Sequence, residues 1–249
     1  MLDYSWLLLI AVALGGIAQR ATGMGFALVS APLAIIALGP LEGVLMMNLL
    51  GIPAATLALI LMWKRIEWNT VWLMIIPCAV GVWLGVEFIA VIDPAWLELG
   101  LGLVLAVAVV VTLKTPPLPE TRSLVGPAIA TGAFAGFLNA AASIGGPPLV
   151  VYRNLRKWSP LSFSPTIQPL LITMSGGSFV LKTLTGTVPL PHYGLFSWLG
   201  LVAALAIGVS LGELISRRLS IERLAQAITG IAIVGSLVTL VRGAMSLVG

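Results

Sequence analysis

The sequence predicts an all-α integral membrane protein built from two inverted repeats, each a broken or re-entrant helix pair followed by three transmembrane helices. Three observations carry that expectation. The 249 residues are 59% hydrophobic and 9% charged, with a mean hydropathy of +1.10, whereas soluble domains carry about 25% charged residues. The apolar blocks fall into two similar sets on either side of Thr115-Pro116-Pro117-Leu118-Pro119-Glu120. The basic residues collect on one face only when two pairs of blocks fold back on themselves.

Apolar length, Gly/Pro breaks and charged punctuation place helical segments at 4–21, 25–38, 41–63, 68–91, 95–114, 124–142, 147–157, 161–185, 192–216 and 220–247. A β-barrel would instead show alternating stretches of about 10 residues. Met1-Leu2-Asp3-Tyr4-Ser5-Trp6 lacks the basic start of a cleavable signal and reads as the beginning of the first membrane helix. The chain thus divides into an N-terminal repeat (1–114), a linker (115–123) and a C-terminal repeat (124–249), all within one membrane domain.

The first two segments are separated by Gln19-Arg20-Ala21-Thr22-Gly23-Met24-Gly25-Phe26. As one continuous helix they would be about 50 Å long, too long for a hydrocarbon core of about 30 Å, so the chain must turn back. The sixth and seventh are separated by Asn139-Ala140-Ala141-Ala142-Ser143-Ile144-Gly145-Gly146. The seventh rises only about 16 Å before it meets Arg153, Arg156, Lys157 and Trp158, which puts its start near mid-membrane.

Charge tests the hairpins. If both pairs return to the side they entered from, Lys64, Arg65, Lys114, Arg122, Arg153, Arg156, Lys157, Arg217, Arg218 and Arg223 share one face, ten of the 13 basic residues. The other face receives Asp3, Glu42, Asp93 and His192. Single crossings would split the same ten into four and six. The positive-inside rule therefore favours hairpins in a bacterial inner (cell) membrane, with both termini periplasmic or extracellular. Trp63, Trp68 and Trp158 border the basic loops as interface anchors.

The halves also repeat. Pro40 precedes Asn48 by the interval at which Pro160 precedes Gln168, and Gly81-Val82-Trp83-Leu84-Gly85 matches Gly208-Val209-Ser210-Leu211-Gly212. A hairpin plus three crossings is an odd number, so the second half is inverted. Inverted repeats with broken helices meeting at the midplane are the architecture of secondary transporters.

The candidate substrate-binding residues follow from the breaks. Arg20 is a charge within an apolar region and needs a cavity or a partner, with Glu87 a candidate carboxylate. Gly23 and Gly25 open the second segment, and Gly145 and Gly146 the seventh. Each break thereby offers unpaired N–H groups and the positive end of a helix to an anion. Thr22, Asn139 and Ser143 lie in or beside the breaks and can donate hydrogen bonds. They also have ordinary roles as caps or packing groups. Asn48 and Gln168 occupy matching positions, and an amide in an apolar interior needs partners. Lys182 and Arg242 fall near helix ends and are expected to snorkel.

Other function classes lack their residues. One cysteine, Cys78, and one histidine, His192, supply neither a disulfide nor a metal cluster, so no metal or cofactor is expected. The net charge of +4 is scattered between apolar blocks and forms no nucleic-acid stripe. An intramembrane enzyme would need a nucleophile with a base, and His192, beside Pro189 and Pro191, reads as an outer-loop residue.

The glycine-rich break followed by an apolar half-helix runs Thr22-Gly23-Met24-Gly25-Phe26-Ala27-Leu28-Val29-Ser30-Ala31-Pro32. It is repeated at Ile144-Gly145-Gly146-Pro147-Pro148-Leu149-Val150-Val151-Tyr152. This pattern resembles the TauE/SafE family of sulfite and organosulfonate exporters over essentially the whole chain. One departure is Ser143, where a family glycine often precedes the apolar residue. The resemblance implies export of small sulfur-containing anions such as sulfite, sulfoacetate or related sulfonates. The residues alone leave open an anion channel or an importer of another small oxyanion. The expected partners are a small anionic substrate, the lipid bilayer and, as the default oligomer, a second copy in a C2 homodimer.

Overall fold

The computed structural model describes residues 5–114, 124–189, 193–216 and, in the last segment, 230, 233–241, 244 and 245. The linker 115–123, His192, and the basic residues Arg122, Arg217, Arg218, Arg223 and Arg242 lie outside the described residues, as does most of the tenth expected segment. Regular structure among the described residues is helical. It comprises α1 (Ser5–Thr22), α2 (Phe26–Leu38), α3 (Pro40–Met62), α4 (Trp68–Val91), α5 (Pro94–Lys114), α6 (Val125–Ala142), α7 (Gly146–Leu155), α8 (Pro160–Leu184) and α9 (Leu195–Ser216), with a 3-10 turn at Trp63–Arg65.

Four helical stretches, Pro40–Arg65, Trp68–Val91, Val125–Ala142 and Leu195–Ser216, are long and apolar enough to cross a membrane by length and composition. Large apolar side chains cover the outside, and several polar ones are buried within an otherwise apolar core. Ile60, Trp72, Ile76, Val91 and Phe196 are exposed, whereas Gln19, Asn48, Asn139 and Gln168 are buried. An apolar exterior with its polar groups drawn inward suits a lipid surround, where unpaired polar groups cost several kcal/mol each.

Both broken pairs fold back as hairpins. Gly15 of α1 lies against Phe26 and Ser30 of α2, so a methyl there would collide with the Ser30 hydroxyl. Pro147, Pro148 and Val151 of α7 face the same apolar groove as Phe134 and Leu138 of α6. Beyond the hairpins the two halves interlock. Helix α4 packs along α6, and α9 along α1. Glycines permit both approaches: a side chain on Gly81 would run into the Ala133 carbonyl, and one on Gly208 into the Ala13 carbonyl. Helices α3 and α8 pack against one another between these pairs.

Two expectations about side-chain placement change. Trp158 is buried, because its indole N–H donates to Glu67 Oε1 at 2.6 Å and its ring sits edge-on to Tyr152 and Phe163. It ties loops together instead of anchoring in lipid; Trp63 and Trp68 remain exposed. Lys182 does not snorkel. Residues 185–188 fold back so that the Val188 N–H reaches the Lys182 carbonyl at 3.4 Å, and the lysine is 0% exposed.

Candidate functional site

Both breaks are built on one backbone plan. Helix α1 ends in Gly23 at φ 81, and α6 ends in Ser143 at φ 61, ψ 16. Two residues later, Gly25 (φ −81, ψ −6) and Gly145 (φ −83, ψ −10) cap α2 and α7, neither with a side-chain cap bond. Ser143 therefore takes the left-handed turn that glycine takes in the first copy. Its hydroxyl secures that conformation by donating to Asn48 Oδ1 at 3.0 Å. The glycine caps are needed for close approach. A methyl on Gly25 would press on Thr22 and Ala18, and one on Gly145 on Met174 and the Ala135 carbonyl.

The matched amides each hold the opposite half's break. Asn48 of α3 bonds Ser143, and its Nδ2 donates to Ser178 Oγ at 2.7 Å. Gln168 of α8 donates to the Gly23 carbonyl at 2.7 Å and accepts from Gln19 Nε2 at 3.2 Å. Gln19 in turn accepts from the Phe26 N–H at 3.3 Å, so the first turn of α2 is braced by a side chain seven residues back.

Between the breaks lies a cavity of about 90 Å³. One water needs on the order of 10–15 Å³, so a small polyatomic ion fits. Of the residues expected at a site, Thr22, Gly25, Asn139, Ser143, Gly145 and Gly146 line this cavity. Gly23, Asn48 and Gln168 stand behind the wall and hold it. Gln19 and Ser175 also line it. Gln19 lies within the first break motif, while Ser175, seven residues after Gln168, continues that amide's helix face.

Arg20 does not line the cavity. Its guanidinium pairs with the Glu213 carboxylate of α9, each side chain 34% exposed. Successive helical residues point about 100° apart, so aiming Gln19 inward turns Arg20 toward α9. Among the described residues, no charged side chain lines the cavity. Its polarity comes from the helix starts, hydroxyls and amides. The two starts are unequal, since Pro147 and Pro148 carry no N–H and leave Gly146 as the donor in the first turn of α7.

One lining group lacks a bond. Asn139 is 2% exposed, and its Oδ1 has no hydrogen-bond partner among the described residues. Its backbone carbonyl is used, accepting from the Ser143 N–H at 2.7 Å. The carboxamide can turn either its N–H donors or its oxygen to a ligand. A partly open cavity lined by no charged side chain among the described residues, by two helix starts and by an amide able to turn its N–H donors inward suits a small oxyanion.

A family model described as Sulfite exporter TauE/SafE matches residues 8–239. No curated protein and no solved structure matches the chain significantly.

Proposed function

Because the chain belongs to the sulfite exporter TauE/SafE family, a family of membrane transporters and not of enzymes, we propose that it exports a small sulfur-containing anion, sulfite or an organosulfonate, bound between its two glycine breaks. The observation that carries this reading is Asn139, a buried amide on the wall of that cavity whose oxygen is held by no hydrogen bond among the described residues, so that the carboxamide can turn its N–H donors to an anion. The binding set is Asn139 with the backbone N–H groups of Gly25 and Gly146 at the two helix starts. Ser143 and Thr22, whose hydroxyl protons go to Asn48 Oδ1 and the Ala18 carbonyl, and Phe26, whose N–H goes to Gln19 Oε1, line the cavity around it. Gly23, Gly145, Asn48 and Gln168 give the cavity its shape. Arg20, bound to Glu213, stands outside this set.

The two halves are inverted repeats. The crossed pairs α4 with α6 and α9 with α1 support this, as do the exchanged braces of Asn48 and Gln168. Rocking of one half on the other would expose the cavity to each side in turn. In a cell membrane with negative interior, moving one negative charge outward gains about 2.3 kcal/mol per 100 mV. The potential alone then drives export.

Purified protein in liposomes tests the reading with labelled sulfite, sulfoacetate and acetate. Saturable flux of the sulfur anions is expected, with acetate excluded. Asn139→Ala should lower both sulfite affinity and flux by about tenfold, the worth of one hydrogen bond to a charged group. Absence of anion movement in the wild type, or wild-type behaviour of N139A, overturns it.

A further inference from the structure

One face of α8 carries a polar stripe that runs past the cavity. At spacings of three, four and seven residues it presents Ser164, Gln168, Ser175, Ser178 and Lys182. Each polar member except the last is engaged by, or adjoins, a part of the site. Ser164 abuts Gly23, Gln168 holds the Gly23 carbonyl, Ser175 lines the cavity, and Ser178 accepts from Asn48. Lys182 lies one turn further on, fully buried, and its Nζ has no hydrogen-bond partner among the described residues.

A lysine buried in an apolar bundle, with no ion pair among the described residues, is costly, and such groups persist where they serve an ion route. The usual relief, snorkelling to the surface, is blocked by the 185–188 turn that closes over the end of the helix. Arg20 offers a contrast, since its charge is already met by Glu213. Lys182 is about 10 Å along α8 from Ser175, far enough for two separate anions. Beyond it, the hydroxyls of Thr185 and Thr187 bond each other at 2.7 Å at the exposed end of the stripe.

We propose that Lys182 is a second anion station, reached from the cavity past Ser175 and Ser178 as the halves rock, where the transported oxyanion pauses against the ammonium and leaves at the Thr185–Thr187 end once the 185–188 turn opens. This deepens the transport reading and rests on it. The cavity binds with neutral groups, which hold an anion loosely enough to release it. The lysine supplies the full charge that draws it onward.

Labelled sulfite binding to the full-length wild-type protein in detergent is expected to reach two per chain. Lys182→Met should reduce this to one while leaving the remaining affinity within about threefold, and slow liposome flux at least about tenfold, as loss of a charged partner does. Lys182→Arg keeps the charge and should keep flux within about threefold. Saturation of the wild type at one sulfite per chain overturns the second station without needing any variant. So does wild-type flux in K182M, and if N139A is impaired in the same assays the cavity reading survives. If N139A is also unimpaired, both fall.

Discussion

At the scale of single residues, Gly23 and Ser143 solve one problem in two ways. A left-handed conformation costs a non-glycine residue on the order of 1 kcal/mol, while the Ser143–Asn48 hydrogen bond returns about 0.5–1.5 kcal/mol net. The two nearly cancel, so Ser143→Gly should leave thermal stability in detergent close to wild type. Ser143→Ala keeps the strain, removes the bond and orphans Asn48 Oδ1, and should cost about 1–3 kcal/mol. Gly23→Ala adds strain and drives a methyl into Ser164, with no bond gained, and should fall below both. Thermal unfolding of the three variants gives the order; S143G melting below S143A would refute this account. The same scale shows what the sequence leaves unread. Gln19 and Arg20 stand side by side in the break motif, and which one meets the cavity depends on what α9 offers the other. Glu213 is far away in the chain, so no local pattern reveals the choice. Lys182 near a helix end reads as a snorkelling lysine for the same reason, because only the returning turn at 185–188 shows that its way out is closed.

At the scale of elements, the helix limits were legible because glycine and proline mark them. The ends at Leu38, Val91, Ala142 and Leu184 fall within a residue or so of the breaks that the sequence carries. What each helix touches was less legible, since periodicity gives a buried face without naming its partner; α2, for example, is apolar nearly all round. The matched amides were the exception. Their equal distance from Pro40 and Pro160 singled them out, and the structure shows each one bonded to the other half's break. This crossing makes the hairpins interdependent. Asn48→Ala and Ser143→Ala should therefore be non-additive, with a coupling energy of about 0.5–3 kcal/mol in a double-mutant cycle on thermal stability. Additive losses would mean that the bond does not brace the break.

At the scale of the whole molecule, hairpins and single crossings make opposite statements about two loops. If the α1–α2 and α6–α7 pairs return to the side they entered from, Lys64 and Lys157 share one side of the membrane and Thr185 lies on the other. If each pair crosses once, Lys64 and Lys157 lie on opposite sides. The structure joins these two loops directly: Arg156 pairs with Glu67 at 2.8 Å, stacks on Trp158, and donates to Thr70 at 2.9 Å. An exposed ion pair alone would be worth under about 1 kcal/mol, but the indole bond from Trp158 to the same carboxylate makes it a network, and a network cannot form across a bilayer. Cys78 is the sole cysteine, so Cys78→Ser provides a background for single-cysteine labelling. In intact bacterial cells, a membrane-impermeant maleimide is expected to label T185C and to reach K64C and K157C only after permeabilisation. Labelling that separates K64C from K157C would break the hairpin topology, and the inverted repeat and the shared cavity between the two breaks would go with it.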